Sequence, residues 1–235
     1  MGQGLTIAVT GLKREARILA GPNVRAIASG GDGARLQAEL EAACEAATGV
    51  ISIGLGGALI EGLRPGDWVV ASSIVSPGGD EEIETDQAWR ERLLMFLPKA
   101  QMGAITASQA MVVDASGKTA LRAATGAAAV DMESLLAARV AQAHGLPFAA
   151  ARTISDGARR DLPMAAQAGM RSDGGMAVGA VLAALARRPQ EFPALIRTAI
   201  EAETAFGSLL RGRKLLGGAL MGPGPDLGEL LLDVS

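Results

Sequence analysis

Short apolar runs that end at glycines, acids or turns alternate along this chain with longer segments of helical spacing. That alternation restricts the fold more than any other feature. Residues 5–10 form the first apolar run and stop at Gly11; residues 50–55 run into Gly56 and Gly57; residues 67–71 follow the turn Pro65-Gly66. Residues 102–107 and 147–154 are two more runs, and residues 127–132 read as a strand or its end. Between them, residues 35–47 carry Leu36, Leu40, Cys44 and Ala47 at helical spacing, with Glu39, Glu41 and Glu45 elsewhere around the wheel. Helices are also expected near 117–124 and over 134–143, 176–186 and 192–210, the last with Phe192, Leu195, Ile196, Ala199, Ile200 and Phe206 on one stripe. Apolar runs without polar alternation belong to strands covered on both faces. The expected fold class is therefore α/β, three-layer, with a mixed central β-sheet flanked by helices. No repeat of fixed period interrupts the pattern. One catalytic domain is expected over residues 1–212, with a C-terminal apolar extension over 213–235 that is rich in Gly and Pro and carries leucines at 230–232.

Composition removes several function classes. The single cysteine, Cys44, excludes an internal disulfide and every multi-cysteine zinc or iron–sulfur site. The single histidine, His144, excludes HExxH and multi-histidine metal centres. Cys44 fits the apolar face of its helix, and His144 sits just before Gly145, where a helix end is expected. A net charge of −3 argues against nucleic acid, whose phosphates need a basic face. The uncharged runs 46–60 and 174–186 are shorter than the ~20 residues of a membrane-spanning helix. No basic stretch precedes the first apolar run, so no secretory signal is read and a cytoplasmic protein is expected. Peripheral contact with a membrane surface is compatible with this composition.

Two glycine-rich turns and two acid-bearing strand ends stand out. Ser29-Gly30-Gly31-Asp32-Gly33 leads into the 35–47 helix, where backbone N–H groups of Gly30 and Gly31 suit an anion such as phosphate, or simply make a tight turn. Gly54-Leu55-Gly56-Gly57 resembles a dinucleotide fingerprint but has Leu59 in the third glycine's place. In Val130-Asp131-Met132-Glu133-Ser134 an apolar run ends in two acids around a methionine. Asp131 and Glu133 either share one side of an extended strand end, or act as cap and first-turn acid of the next helix. Arg152-Thr153-Ile154-Ser155-Asp156 ends another apolar run, and Asp156 alone would read as a turn former or cap. The two strand ends are separated by one helix, so Glu133 and Asp156 are expected close together where ligands bind to open α/β sheets. Met164, Met170 and Met176 flank a Gly-rich segment after Asp156 and read as packing or as an apolar lid.

Taken in order, Thr10-Gly11-Leu12-Lys13-Arg14-Glu15, the Gly54–Gly57 turn, the Asp131–Glu133 run and the Ser155-Asp156 end resemble the nucleoside phosphorylase and methylthioadenosine/S-adenosylhomocysteine nucleosidase superfamily. The resemblance runs from about residue 5 to 210 and is most like the hopanoid-associated phosphorylases. It implies cleavage of the N-glycosidic bond of a 5′-substituted adenosine, by a pentosyl-type glycosyltransferase or an N-glycosyl hydrolase. It further implies adenine release, inorganic phosphate as co-substrate, and adenosylhopane as substrate in hopanoid biosynthesis. Glu133 would hold the ribose hydroxyls, with Met132 packed under the sugar and Asp131 beside it. Ser155 and Asp156 would face the purine, with Asp156 as the acid that protonates the departing base. Glu15 corresponds to an acid that positions the nucleophile, and Met111 falls near the place of an aromatic base-stacking residue. Gly56 and Gly57 would line the substrate site. No metal or organic cofactor is implied, the partner is a small-molecule nucleoside, free or lipid-linked, and a homo-oligomer is expected.

The chemistry explains these residue types. Breaking the C1′–N9 bond builds oxocarbenium character on the ribose and negative charge on the purine. A buried aspartic acid can neutralise the base by a proton to N7, and an ionised glutamate can grip two hydroxyls beside the developing cation. The competing readings are a hydrolytic nucleosidase, which would use water, and a non-catalytic nucleoside-binding protein, which would need no proton donor.

Overall fold

The structure is a computed structural model and describes residues 4–97, 99–164, 183 and 186–223. β1 (Leu5–Thr10) is buried along nearly its whole length and lies between two parallel neighbours, β2 (Val24–Ala28) and β3 (Ala47–Ala58). Its unbroken apolar run is what a strand covered on both faces requires. α1 (Lys13–Leu19) follows β1 directly and α2 (Gly33–Cys44) makes the crossover from β2 to β3. β4 (Trp68–Val75) pairs antiparallel with β5 (Glu82–Glu84) and, after α3 (Gln87–Phe96), parallel with β6 (Gln101–Ala107). α4 (Ala115–Thr125), β7 (Ala129–Asp131), α5 (Ser134–Ala143), β8 (Phe148–Asp156) and, after a 3-10 turn at Pro189–Glu191, α6 (Phe192–Leu216) complete the described elements.

β3 carries the topology that matters for function. It pairs with β8 in parallel from Val50 to Gly57, and with β7 antiparallel at Gly57 and Ala58. β8 also runs antiparallel to β4, and β6 pairs with both β4 and β7, so β3, β8, β4, β6 and β7 close into a ring of pairings. The sheet is mixed, as the strand–helix alternation implies. The pleat sends alternate residues to opposite layers. Val50, Phe148 and Ala150 pack with Leu36 and Leu40 of α2 and Leu135 and Val140 of α5. Ile51, Ile53, Ala149 and Ala151 pack with Leu19, Trp89, Leu93, Leu209 and Leu216 of α1, α3 and α6. Three layers result.

Capping sets several helix starts. Asp32, Asp86 and Asp114 each accept a hydrogen bond from the backbone N–H three residues on (3.0, 2.7 and 2.7 Å). His144 ends α5 and Gly145 takes the left-handed conformation after it (φ 63°). Cys44 is buried in the core.

Several boundaries differ from expectation. The helix expected to reach residue 47 stops at Cys44, because Ala47 already opens β3 beside Leu5. β3 extends to Ala58, so Gly54, Gly56 and Gly57 lie inside a strand instead of forming a turn. α6 continues through residue 212, where an extension was expected to begin, and Leu216 and Leu220 are fully buried in the same core as Trp89. The Trp89 indole N–H donates to Leu220 O (2.9 Å) and Thr6 Oγ1 to Ala219 O (3.1 Å), which dock the end of the described chain. The helix expected over 176–186 lies largely outside the described residues, as do Met170, Met176 and the leucines at 230–232.

Candidate active site

Gly57 faces Val130 of β7 on one side and Asp156 of β8 on the other. The two acid-bearing strand ends therefore meet across the end of β3. A Cβ at Gly57 would lie 3.3 Å from Asp156 Oδ2 and 3.4 Å from Val130 Cγ1, so a larger residue would press on both. Gly56 is equally confined, with Arg152 Cγ 3.1 Å from the position of an added Cβ.

A buried cluster of charge lies on one side of this strand end. The Glu15 carboxylate accepts hydrogen bonds from the backbone N–H of Leu55 (2.6 Å) and of Leu12 (2.7 Å). Burial raises its pKa, and those two donors together with the Arg152 guanidinium oppose the rise. Gly54 admits Glu15, since a Cβ there would stand 2.7 Å from Glu15 Oε1. Glu133 accepts from the Ser29 hydroxyl (2.7 Å). Burial, and next the charge of Asp131, push the Glu133 pKa up to about 7 against the pull of Arg152 and Ser29.

Asp131 is committed inside the protein. Its Oδ1 accepts from the N–H of Glu133 (3.2 Å) and Ser134 (3.1 Å) and from the Ser134 hydroxyl (2.8 Å), and its Oδ2 forms an ion pair with Arg152. Arg152, 1% exposed, also donates to Ala151 O (2.9 Å) and Ser52 Oγ (2.5 Å). The strand has ended at Asp131 and Glu133 occupies the N-cap position of α5, so the two acids do not alternate along one extended segment. Asp131 anchors the turn, and Glu133 lies against Ser29 and the Gly11 backbone, where an added Cβ would stand 3.1 Å from Glu133 Oε1.

Asp156 lies across Gly57 from this cluster. Its Oδ1 accepts from the Ser155 hydroxyl (2.6 Å), and its Oδ2 pairs with the ammonium of Lys118. Lys118 is 1% exposed and is the only buried residue of α4. The sequence carries no marker for it. It stands in a polar, half-exposed helix where a lysine reads as solvent-facing, and its partner is distant along the chain. Arg152 is likewise recognisable as part of the site only once β3 and β8 are paired.

A cleft of about 530 Å³ has Ser29, Gly31, Met132, Ser76, Ala107 and Ser108 among its walls, and none of the buried acids lines it. Met132 is half-buried there. Met111 is half-buried on the connection between β6 and α4, and Val113 O of that connection accepts from Leu162 N (2.7 Å) in the segment after Asp156. Gly30 and Gly31 both have positive φ (63° and 85°). Their N–H groups are used within the protein, Gly30 donating to Gly11 O at the end of β1 (2.9 Å) and Gly31 to Ser29 Oγ (3.2 Å). A separate groove of about 490 Å³ is lined by Lys13, Arg17, Arg35 and Glu39, again without any of the buried acids.

The family model described as the phosphorylase superfamily matches residues 17–187. The chain belongs to the phosphorylase superfamily. That match includes the acid-bearing strand ends and leaves Glu15 just outside. No curated protein matches the sequence. Among solved structures, this superfamily member resembles the 5′-methylthioadenosine/S-adenosylhomocysteine nucleosidase of Helicobacter pylori bound to butyl-thio-DADMe-Immucillin-A. There the TM-score is 0.63 and the identity 15%, over 93% of this chain and 99% of that one. The corresponding Streptococcus pneumoniae nucleosidase with the transition-state inhibitor MT-ImmA gives a TM-score of 0.60 at 16% identity, over 90% and 99% of the two chains. A Helicobacter pylori futalosine hydrolase mutant gives 0.55 at 18% identity, over 64% and 89%. These likenesses establish the α/β fold with its mixed central sheet.

Proposed function

We propose that the chain cleaves the N-glycosidic bond of a 5′-substituted adenosine and releases adenine. The observation that carries this reading is that β7 and β8 both pair with β3 at Gly57, one leading into Glu133 and the other ending in Asp156, two buried acids each with a hydroxyl on its carboxylate. Glu133 accepts hydrogen bonds from the ribose hydroxyls, with Met132 under the sugar. Asp156, beside Ser155, gives a proton to N7 as C1′–N9 breaks, a general-acid contribution of ~10²–10⁴-fold. Glu15, fixed by two backbone donors, orients the attacking group, and Met111 lies toward the base. Asp131 serves the site by holding Arg152 and the start of α5.

The finer reading takes inorganic phosphate as acceptor and a lipid-linked adenosine, adenosylhopane, as substrate, in a homo-oligomer with peripheral membrane contact. The resemblance to hopanoid-associated phosphorylases supports it, as do Phe192, Ile196 and Ile200, which expose apolar surface one helical turn apart on α6. A buried polycyclic substituent would contribute ~25 cal/mol per Å² of apolar area. None of the described helices is long and apolar enough to cross a membrane. Water as acceptor is the second reading. It is favoured by the internal use of the Gly30 and Gly31 N–H groups and by the Asp32 carboxylate at the start of α2.

Adenine release with and without phosphate tests the acceptor, and competition in detergent tests the substituent. Phosphate-dependent release and a higher kcat/KM for a bulky apolar 5′ group than for methylthioadenosine are expected. Equal rates without phosphate would leave the hydrolytic reading, and preference for methylthioadenosine would remove the lipid assignment.

A further inference from the structure

Lys118 is buried on a helix that is otherwise half-exposed or exposed, and burying an ammonium is costly unless its donors are all met. They are met. Its three N–H bonds reach Asp156 Oδ2, Gly157 O (3.0 Å) and Arg160 O (2.9 Å), which is the full donor complement of an ammonium. The surroundings hold this reach in place. Asp161 accepts from Ala115 N (2.8 Å) in the first turn of α4, and Leu162 N donates to Val113 O just before that helix. Lys118 thus joins α4 to the segment after β8 and ends on the carboxylate that the proposed reaction uses as acid.

We propose that Lys118 is the positioning residue for Asp156, holding Oδ2 in place and serving as counter-charge to the carboxylate formed when Asp156 protonates the departing purine. This rests on the glycosidic-cleavage reading above. The C1′–N9 bond breaks with its electron pair passing to the purine, whose N7 takes the proton of the Asp156 carboxyl. The acceptor oxygen bonds to C1′, the new carboxylate pairs with Lys118, and solvent returns a proton before the next turnover. Other nearby charges are engaged elsewhere. Arg160 pairs with Glu201 (3.5 Å), Arg152 with Asp131, and Asp161 with the backbone of α4. Among the described residues, Lys118 is the cation in contact with Asp156.

Without the ammonium, the carboxylate would form buried beside the Ser155 hydroxyl alone. Proton transfer would then be penalised while the ribose contacts at Glu133 stay as they are. The test compares kcat and KM of wild type, Lys118→Met and Lys118→Arg in steady-state adenine release, with melting curves for each. Lys118→Met should lose about 10–100-fold in kcat with KM changed far less. Lys118→Arg keeps the charge and should recover most of the loss.

A methionine variant with wild-type kcat would overturn the proposal. A loss of kcat matched by an equal change in KM, with no rescue by arginine, would reduce Lys118 to scaffolding and overturn it too. If Lys118→Met does not fold, Lys118→Gln takes its place with the same expectations; if neither folds, a folded Lys118→Arg that has lost kcat overturns it. Absence of base release by the wild type contradicts the glycosidic reading itself, whereas an active wild type with a silent Lys118 contradicts only this inference.

Discussion

Glu133 holds its proton unusually tightly because it is buried beside Asp131, and that has a stability consequence with a definite sign. Its folded pKa of about 7 lies above its ordinary value of 4.5. Between these limits the unfolded chain has released a proton that the folded protein still binds, so stability falls as pH rises and this slope ends above about 7. Glu133→Gln should flatten that fall, seen as a smaller change in melting temperature between about pH 5 and about pH 8. Ligand binding should run the other way. Ribose hydroxyls donate to the ionised carboxylate, so nucleoside affinity measured by calorimetry should strengthen as pH rises through about 7, and the glutamine variant should lose this dependence. A pH-independent affinity in the wild type would contradict the ribose role.

Elements with strong local signals were legible in the sequence. β1 and α5 fall where the apolar run before Gly11 and the segment between Glu133 and His144 put them. β2 is a short edge strand with Arg25 exposed, and α3 buries only Trp89 and Leu93, so neither shows a periodicity distinct from its surroundings. The glycines of β3 read as a turn, because a sequence does not reveal that their missing side chains make room for Glu15 and Asp156. β7 and β8 are not the two strands of a parallel crossover, since β7 runs antiparallel to β3 and β8 parallel to it, and Arg152–Asp131 and Lys118–Asp156 are likewise pairings made by the tertiary fold. The end of α6 is a similar case, since its leucines look like a separate extension until Trp68 and Trp89 are seen against them. Truncation after Gly212 removes the fully buried Leu216 and Leu220 and leaves the Trp89 indole without its acceptor. It should cost about 3–6 kcal/mol, at ~1.5–3 kcal/mol for each leucine. Urea unfolding would measure this; an unchanged midpoint would show that residues 213–223 are dispensable to the core.

In the molecule as a whole, the ring of pairings among β3, β8, β4, β6 and β7 brings acids far apart in sequence to one strand end. The network of Glu133, Glu15, Asp131 and Arg152 lies against Gly11, Ser29 and Gly54, the Asp156–Lys118 pair lies against Gly57, and the proposed reaction needs both. Superfamily membership fits this arrangement, and the acceptor and the 5′ group are refinements of it. The most direct measurement is the rate of free adenine release from methylthioadenosine and from adenosine with a bulky apolar 5′ group, by wild type, Asp156→Asn and Glu133→Gln. The wild type should release adenine, Asp156→Asn should lose ~10²-fold or more in kcat with little change in KM, and Glu133→Gln should lose both rate and ribose recognition. Wild-type rates in both variants, or no base release from either substrate by the wild type, would contradict the account.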